Sequence, residues 1–131
     1  MPESLAVIRH LILTATISAL APLSLAAAED FATVTDEAAF LELIENKELR
    51  HRFVGISLLV EPDGTITGDA LGWSVTGTWD WIDGAFCREM DWSGKAIDYN
   101  CQLVEVRVAT DVRFTVDRGA GEAAVFRLRD R

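Results

Sequence analysis

The chain has 131 residues, carries 12 Lys plus Arg against 21 Asp plus Glu for a formal charge of -9, and contains two Cys and two His. That is chain enough for one domain and too little for a multidomain enzyme. The acidic balance excludes a nucleic-acid binder that works by neutralising phosphates.

Leu11 to Leu25 is an apolar run, preceded by Arg9 and His10 and followed by Ala26-Ala27-Ala28 and the acidic pair Glu29-Asp30. A charged start, a short apolar stretch and a small-residue end predict a secretory signal peptide over residues 1–28, cleaved after Ala28. The run contains Pro22 and is shorter than the ~20 residues that a membrane-spanning helix needs. The first cysteine is Cys87 and Arg9 stands alone, so neither a lipid-modified N-terminus nor a twin-arginine signal is expected. The expectation is therefore a periplasmic or secreted protein with no membrane span after cleavage. Residues 29–131 are expected to form a single β-rich domain.

In the exported part, Thr35-Asp36-Glu37 opens a stretch where Ala39, Phe40, Leu43 and Ile44 recur at helical spacing. Asp36 is the expected N-cap, and Asn46-Lys47 the expected end. From Leu49 the period becomes two, with Val54, Ile56, Leu58 and Val60 alternating against Phe53, Gly55 and Ser57 before the Pro62-Asp63-Gly64 turn. Thr65-Ile66-Thr67 returns. Trp73, Val75, Trp79 and Trp81 share one face, which first says core, and Asp83-Gly84 reads as a hairpin turn. Beyond it, Val104, Val106 and Val108 alternate, then Val112, Phe114 and Val116, then Ala124, Phe126 and Leu128 with Arg127 and Arg129 outward. The fold class predicted from this spacing is mainly β: a small antiparallel β-barrel or sandwich of seven to eight strands with one N-terminal α-helix.

Cys87 and Cys101 lie fourteen positions apart with Gly94 midway between them, so a hairpin of residues 85–92 and 97–106 sets them face to face. In an exported chain this predicts a disulfide, and closing a loop of about 15 residues contributes ~3 kcal/mol. One His in the exported part and two Cys are too few for a structural zinc site. No metal is expected.

The same register places Arg88 opposite Asn100 and Phe86 opposite Gln102. Arg88 then shares an inward face with Phe86, Met90 and Trp92. A guanidinium there must be satisfied or solvated. It is neutralised by a carboxylate such as Asp98, or lines an open mouth that accepts an anionic or polar ligand, or is turned outward by a bulge. Arg88, Asn100, Gln102, Trp79 and Trp81 are accordingly the candidate ligand-binding residues.

No catalytic residues are assigned. Gly119-Ala-Gly121-Glu-Ala-Ala124 matches G-x-G-x-x-A, but only ten residues follow Gly121 and they have strand period, so a hairpin turn accounts for both glycines. No cofactor is expected. The acidic residues leave a carboxylate pair for hydrolysis open.

Gly77-Thr78-Trp79, Asp83-Gly84, Phe86-Cys87-Arg88 and Tyr99-Asn100-Cys101-Gln102 follow the Pro62-Asp63-Gly64 turn. In this arrangement, residues 49–118 resemble a family of small exported bacterial proteins with a G-T-W…G-x-x-C…C pattern and no established function. Some sequences of this kind are labelled dihydrodipicolinate reductase. That label implies a cytoplasmic nucleotide-binding α/β enzyme, whereas this chain reads as an exported meander of strands. The family supplies no catalytic residues to carry over.

The combined expectation is an exported, non-catalytic, monomeric binding module for a small ligand or an exported protein partner. The alternative is an enzyme, either a carboxylate-based hydrolase or the reductase of the label.

Overall fold

Asp36 sits in extended conformation (φ -136°, ψ 159°) and its side chain accepts a hydrogen bond from the Ala39 amide at 2.8 Å. This satisfies one of the free N–H groups that open a helix. The helix that follows, α1 (Glu37–Ile44), has eight residues. It ends where Asn46 takes the left-handed conformation at φ 54°, a role that suits asparagine. So short a helix needs a surface to lie on. The computed structural model, which describes residues 30–51 and 53–131, supplies that surface as a barrel. The predicted signal peptide lies outside the described residues.

A two-residue strand, β1 (Ala32–Thr33), precedes α1. The barrel strands are β2 (Lys47–His51), β3 (Ile56–Val60), β4 (Thr65–Ala70), β5 (Trp73–Ile82), β6 (Ala85–Trp92), β7 (Lys95–Arg107), β8 (Asp111–Thr115) and β9 (Ala123–Asp130). Each pairs with the next in sequence, and β9 returns to β2 with Leu49 opposite Leu128. The sheet is thereby an eight-stranded closed antiparallel barrel, which leaves none of its eight strands as a bare edge. β1 adds to the outside of this circuit, pairing with the C-terminal half of β7. Closure in this way settles barrel over sandwich.

Inward positions follow the period of two. Val60, Ile66, Val104 and Val112 are almost fully buried, while Arg127 and Arg129 face outward. Two glycines mark where the wall is tightest. A Cβ on Gly68 (φ +152°) would lie 2.0 Å from the Ser57 carbonyl oxygen, and one on Gly77 would lie 2.5 Å from the Glu89 carbonyl oxygen. Only glycine fits such approaches.

The structure differs from the sequence reading at several points, among them β1, which the sequence reading did not contain, and Val108, which lies beyond the end of β7 and is exposed. The period-two run from Leu49 to Val60 is two strands, broken by a turn at Phe53–Gly55 that leaves Phe53 89 % exposed. Gly55 takes φ 55° there, a conformation that stops a strand. Trp73 shares the inward parity but stands at the first position of β5, where the wall ends, and is 61 % exposed. Val116 leaves β8 for a single 3-10 turn, Asp117–Gly119, that precedes β9.

The two ends of the barrel are not alike. α1 covers one end and inserts Phe40, which has no exposed surface, among Trp79, Trp81 and Phe86 at ring-centroid distances of 5.3, 5.2 and 5.2 Å. The other end carries the β2–β3, β4–β5 and β6–β7 turns and the β8–β9 connection, whose 3-10 turn is the one helical element among the described residues there.

Candidate functional site

The β6–β7 hairpin builds the polar side of the site. Its register is the one that the two cysteines predict: Cys87 pairs with Cys101 in a disulfide, Arg88 with Asn100, and Phe86 with Gln102. Past Arg88 the ladder slips. Met90 pairs with Ile97, so Asp98 and Tyr99 together oppose Glu89. This bulge lies on β7 and leaves Arg88 inward, 9 % exposed. A bulge frees backbone groups from the ladder, and Arg88 uses one of them. Its Nη1 donates to the Asp98 backbone carbonyl at 2.7 Å. Asp98 therefore answers Arg88 with its main chain, and its exposed side chain is not the neutralising carboxylate that sequence pattern suggested. No described carboxylate lies within ion-pair distance of Arg88. Burial pushes its pKa down from the ordinary arginine value, yet an arginine keeps its charge in a protein.

One turn of the pleat deeper, Gln102 is 8 % exposed, and its side-chain amide makes no hydrogen bond to a described residue. Every fully enclosed side-chain nitrogen or oxygen among the described residues does have a partner. The Gln102 amide therefore looks onto open space.

That space is a cavity of about 320 Å³ inside the barrel, at the lower end of the ~300–1,000 Å³ typical of ligand pockets. Arg88 and Gln102 lie on its β6–β7 wall, and Leu49, Leu58, Val60 and Ile66 form an apolar wall on β2, β3 and β4. Phe86, Phe114 and Phe126 continue the apolar lining. The cavity reaches the surface at the β8–β9 connection, where Glu122 and Ala123 are exposed. An eight-stranded barrel is just wide enough either to be filled by side chains or to hold one small ligand. Here the helix end is filled and the rest is not.

The candidate residues divide on this geometry. Arg88 and Gln102 line the cavity; Asn100, Trp79 and Trp81 do not. Asn100 pairs with Arg88 in the ladder, but its amide grips Asp117, donating to the carboxylate at 2.8 Å and accepting from the backbone N–H at 3.0 Å. It thus ties the 3-10 turn beside the mouth. Trp79 is a core residue whose indole donates to the Glu61 carbonyl at 2.8 Å, and Trp81 stacks on Phe40. The sequence pattern missed Leu49 and Leu58, which belong to two strands it read as one, and Glu122, which sits in a turn without periodicity. It also passed over the size of Ala124. An inward-facing alanine leaves volume behind, and that was the available sign of a void.

Glycines 119 and 121 belong to the turn that leads into β9, and no helix follows them. All strand pairings among the described residues are antiparallel. Comparison with protein-family models, with curated proteins and with solved structures returned no match. The geometry of the cavity alone carries the functional argument.

Proposed function

We propose that this protein is an exported binding module that holds one small ligand inside its barrel and does not transform it. The observation that carries this reading is the unfilled apolar cavity with two polar side chains, Arg88 and Gln102, turned into it. A mostly apolar concavity with a few convergent polar groups is the usual form of a ligand site. An open interior favours a small ligand over a protein partner, for which a filled barrel and an exposed patch would be the expected design. Catalysis finds less support. Glu122 is the one carboxylate among the described lining residues, whereas hydrolysis by a carboxylate pair needs two across the scissile bond. Export rests on the leader over residues 1–28 and agrees with the disulfide, since such bonds persist in oxidising compartments.

The test is native mass spectrometry of the protein recovered from its own host. The expected result is a chain beginning near Glu29 that carries the added mass of one small molecule. Bare chain in every charge state would overturn ligand binding. A mature protein that retains residues 1–28 and resides in the cytoplasm would overturn export.

A further inference from the structure

We infer that the ligand is an amphipathic anion: one hydrocarbon body with a single carboxylate held by Arg88 and Gln102. The inference deepens the small-ligand reading and rests on it. Arg88 is a buried charge with no described carboxylate within ion-pair distance and uses one hydrogen bond, to the Asp98 carbonyl. A guanidinium has five N–H donors in a planar fork that matches a carboxylate in two parallel hydrogen bonds. An unpaired buried charge is costly and needs a partner of opposite sign. A ligand carboxylate supplies one, and the Gln102 amide next to it on the wall offers a further donor.

The rest of the lining specifies the body. The opposite wall is Leu49, Leu58, Val60 and Ile66, which reject anything but hydrocarbon. A volume of about 320 Å³ holds one chain or a small ring system and excludes a lipid with two full chains. The net charge of -9 repels polyanions approaching from solution, and Glu122 at the mouth adds to that repulsion. Nucleotides and multiply phosphorylated compounds are thereby disfavoured, whereas a monocarboxylate gains enough from apolar burial to enter.

Isothermal titration calorimetry of the mature, disulfide-bonded protein with decanoate, 1-decanol and decyl phosphate tests this. Decanoate is expected to bind about 10- to 100-fold more tightly than 1-decanol, the range expected for a hydrogen bond to a charged group. Arg88→Met should abolish that preference while leaving 1-decanol affinity within about twofold. Gln102→Leu leaves the Arg88–Asp98 bond untouched, and should weaken decanoate several-fold with 1-decanol unchanged. Thermal melts of both variants establish that they are folded.

An Arg88→Met protein that still prefers decanoate, or a native protein that prefers 1-decanol, overturns the anion assignment and leaves the small-ligand reading standing. Tighter binding of decyl phosphate than of decanoate overturns the single-charge assignment. If none of the three binds and the recovered protein carries no added mass, the small-ligand reading falls as well.

Discussion

The two ends of this barrel are made from the same eight strands and solve the problem of the interior in opposite ways. At the helix end, α1 inserts Phe40 into a cage of Trp79, Trp81, Phe86 and Phe114, which leaves Phe40 no exposed surface. At the other end the inward positions include the small Ala124 and the polar Arg88 and Gln102, and a cavity remains. Phe53, Leu71 and Trp73 stand on the turns of the open end, where no element among those described covers them. One end is packed with apolar side chains, and the other gives up apolar packing around the proposed site, a division expected where function requires unsatisfied groups.

The contrast can be broken most severely at Phe40. Its replacement by alanine removes the plug from a fully enclosed position, and is expected to cost about 3–5 kcal/mol, as for other buried aromatics. A loss of this size lowers the melting temperature of a domain of this length by well over 10 °C, at roughly 4–8 °C per kcal/mol, as read by circular dichroism. Arg88→Met, at the open end, should move the melting temperature little by comparison, because replacing a buried charge by a well-packed apolar group is often neutral or stabilising.

The disulfide comes next. Cys87→Ser is expected to cost about 3 kcal/mol through the entropy of the unfolded loop, seen as a lower melting temperature without reductant. The gap between native and variant should close when dithiothreitol is added to both. Equal melting of the two proteins under oxidising conditions would remove the stabilising role of the bond.

A smaller effect than either loss has the opposite sign. Ala124→Leu puts bulk into the cavity, and is expected to stabilise by about 0.5–2 kcal/mol, as cavity-filling substitutions do. The same variant should lose ligand affinity. A substitution that raises the melting temperature and abolishes binding would locate the trade between stability and function at this position.

Much of this was legible along the chain because it is local. Asp36 is legible as a cap because its side chain needs only an amide three residues on. The inward and outward faces of β6 and β7 are legible because successive side chains in a strand alternate. A single pair of cysteines then sets their register, bringing Arg88 opposite Asn100 and Phe86 opposite Gln102. The break at Phe53–Gly55 was not legible, since Phe53 and Val54 have strand-like side chains and only the left-handed backbone at Gly55 stops the run. The partner of Arg88 was not legible either. It is a backbone carbonyl released by a bulge on β7, and side-chain patterns say nothing about which carbonyls lose their ladder partners.

The sequence by itself determined the alternation of most barrel strands, the position of the helix cap, the pairing of the cysteines and the presence of a charge on an inward face. All of these follow from interactions within one hairpin or one helical turn. Only the tertiary structure decided that β9 closes on β2, that Phe40 fills one end, and that Ala124, Arg88 and Gln102 border unfilled space at the other. The reason is geometric. Alternation assigns each side chain to a face, but the volume enclosed by a barrel is a sum over eight strands and a plug, and no single segment carries that sum.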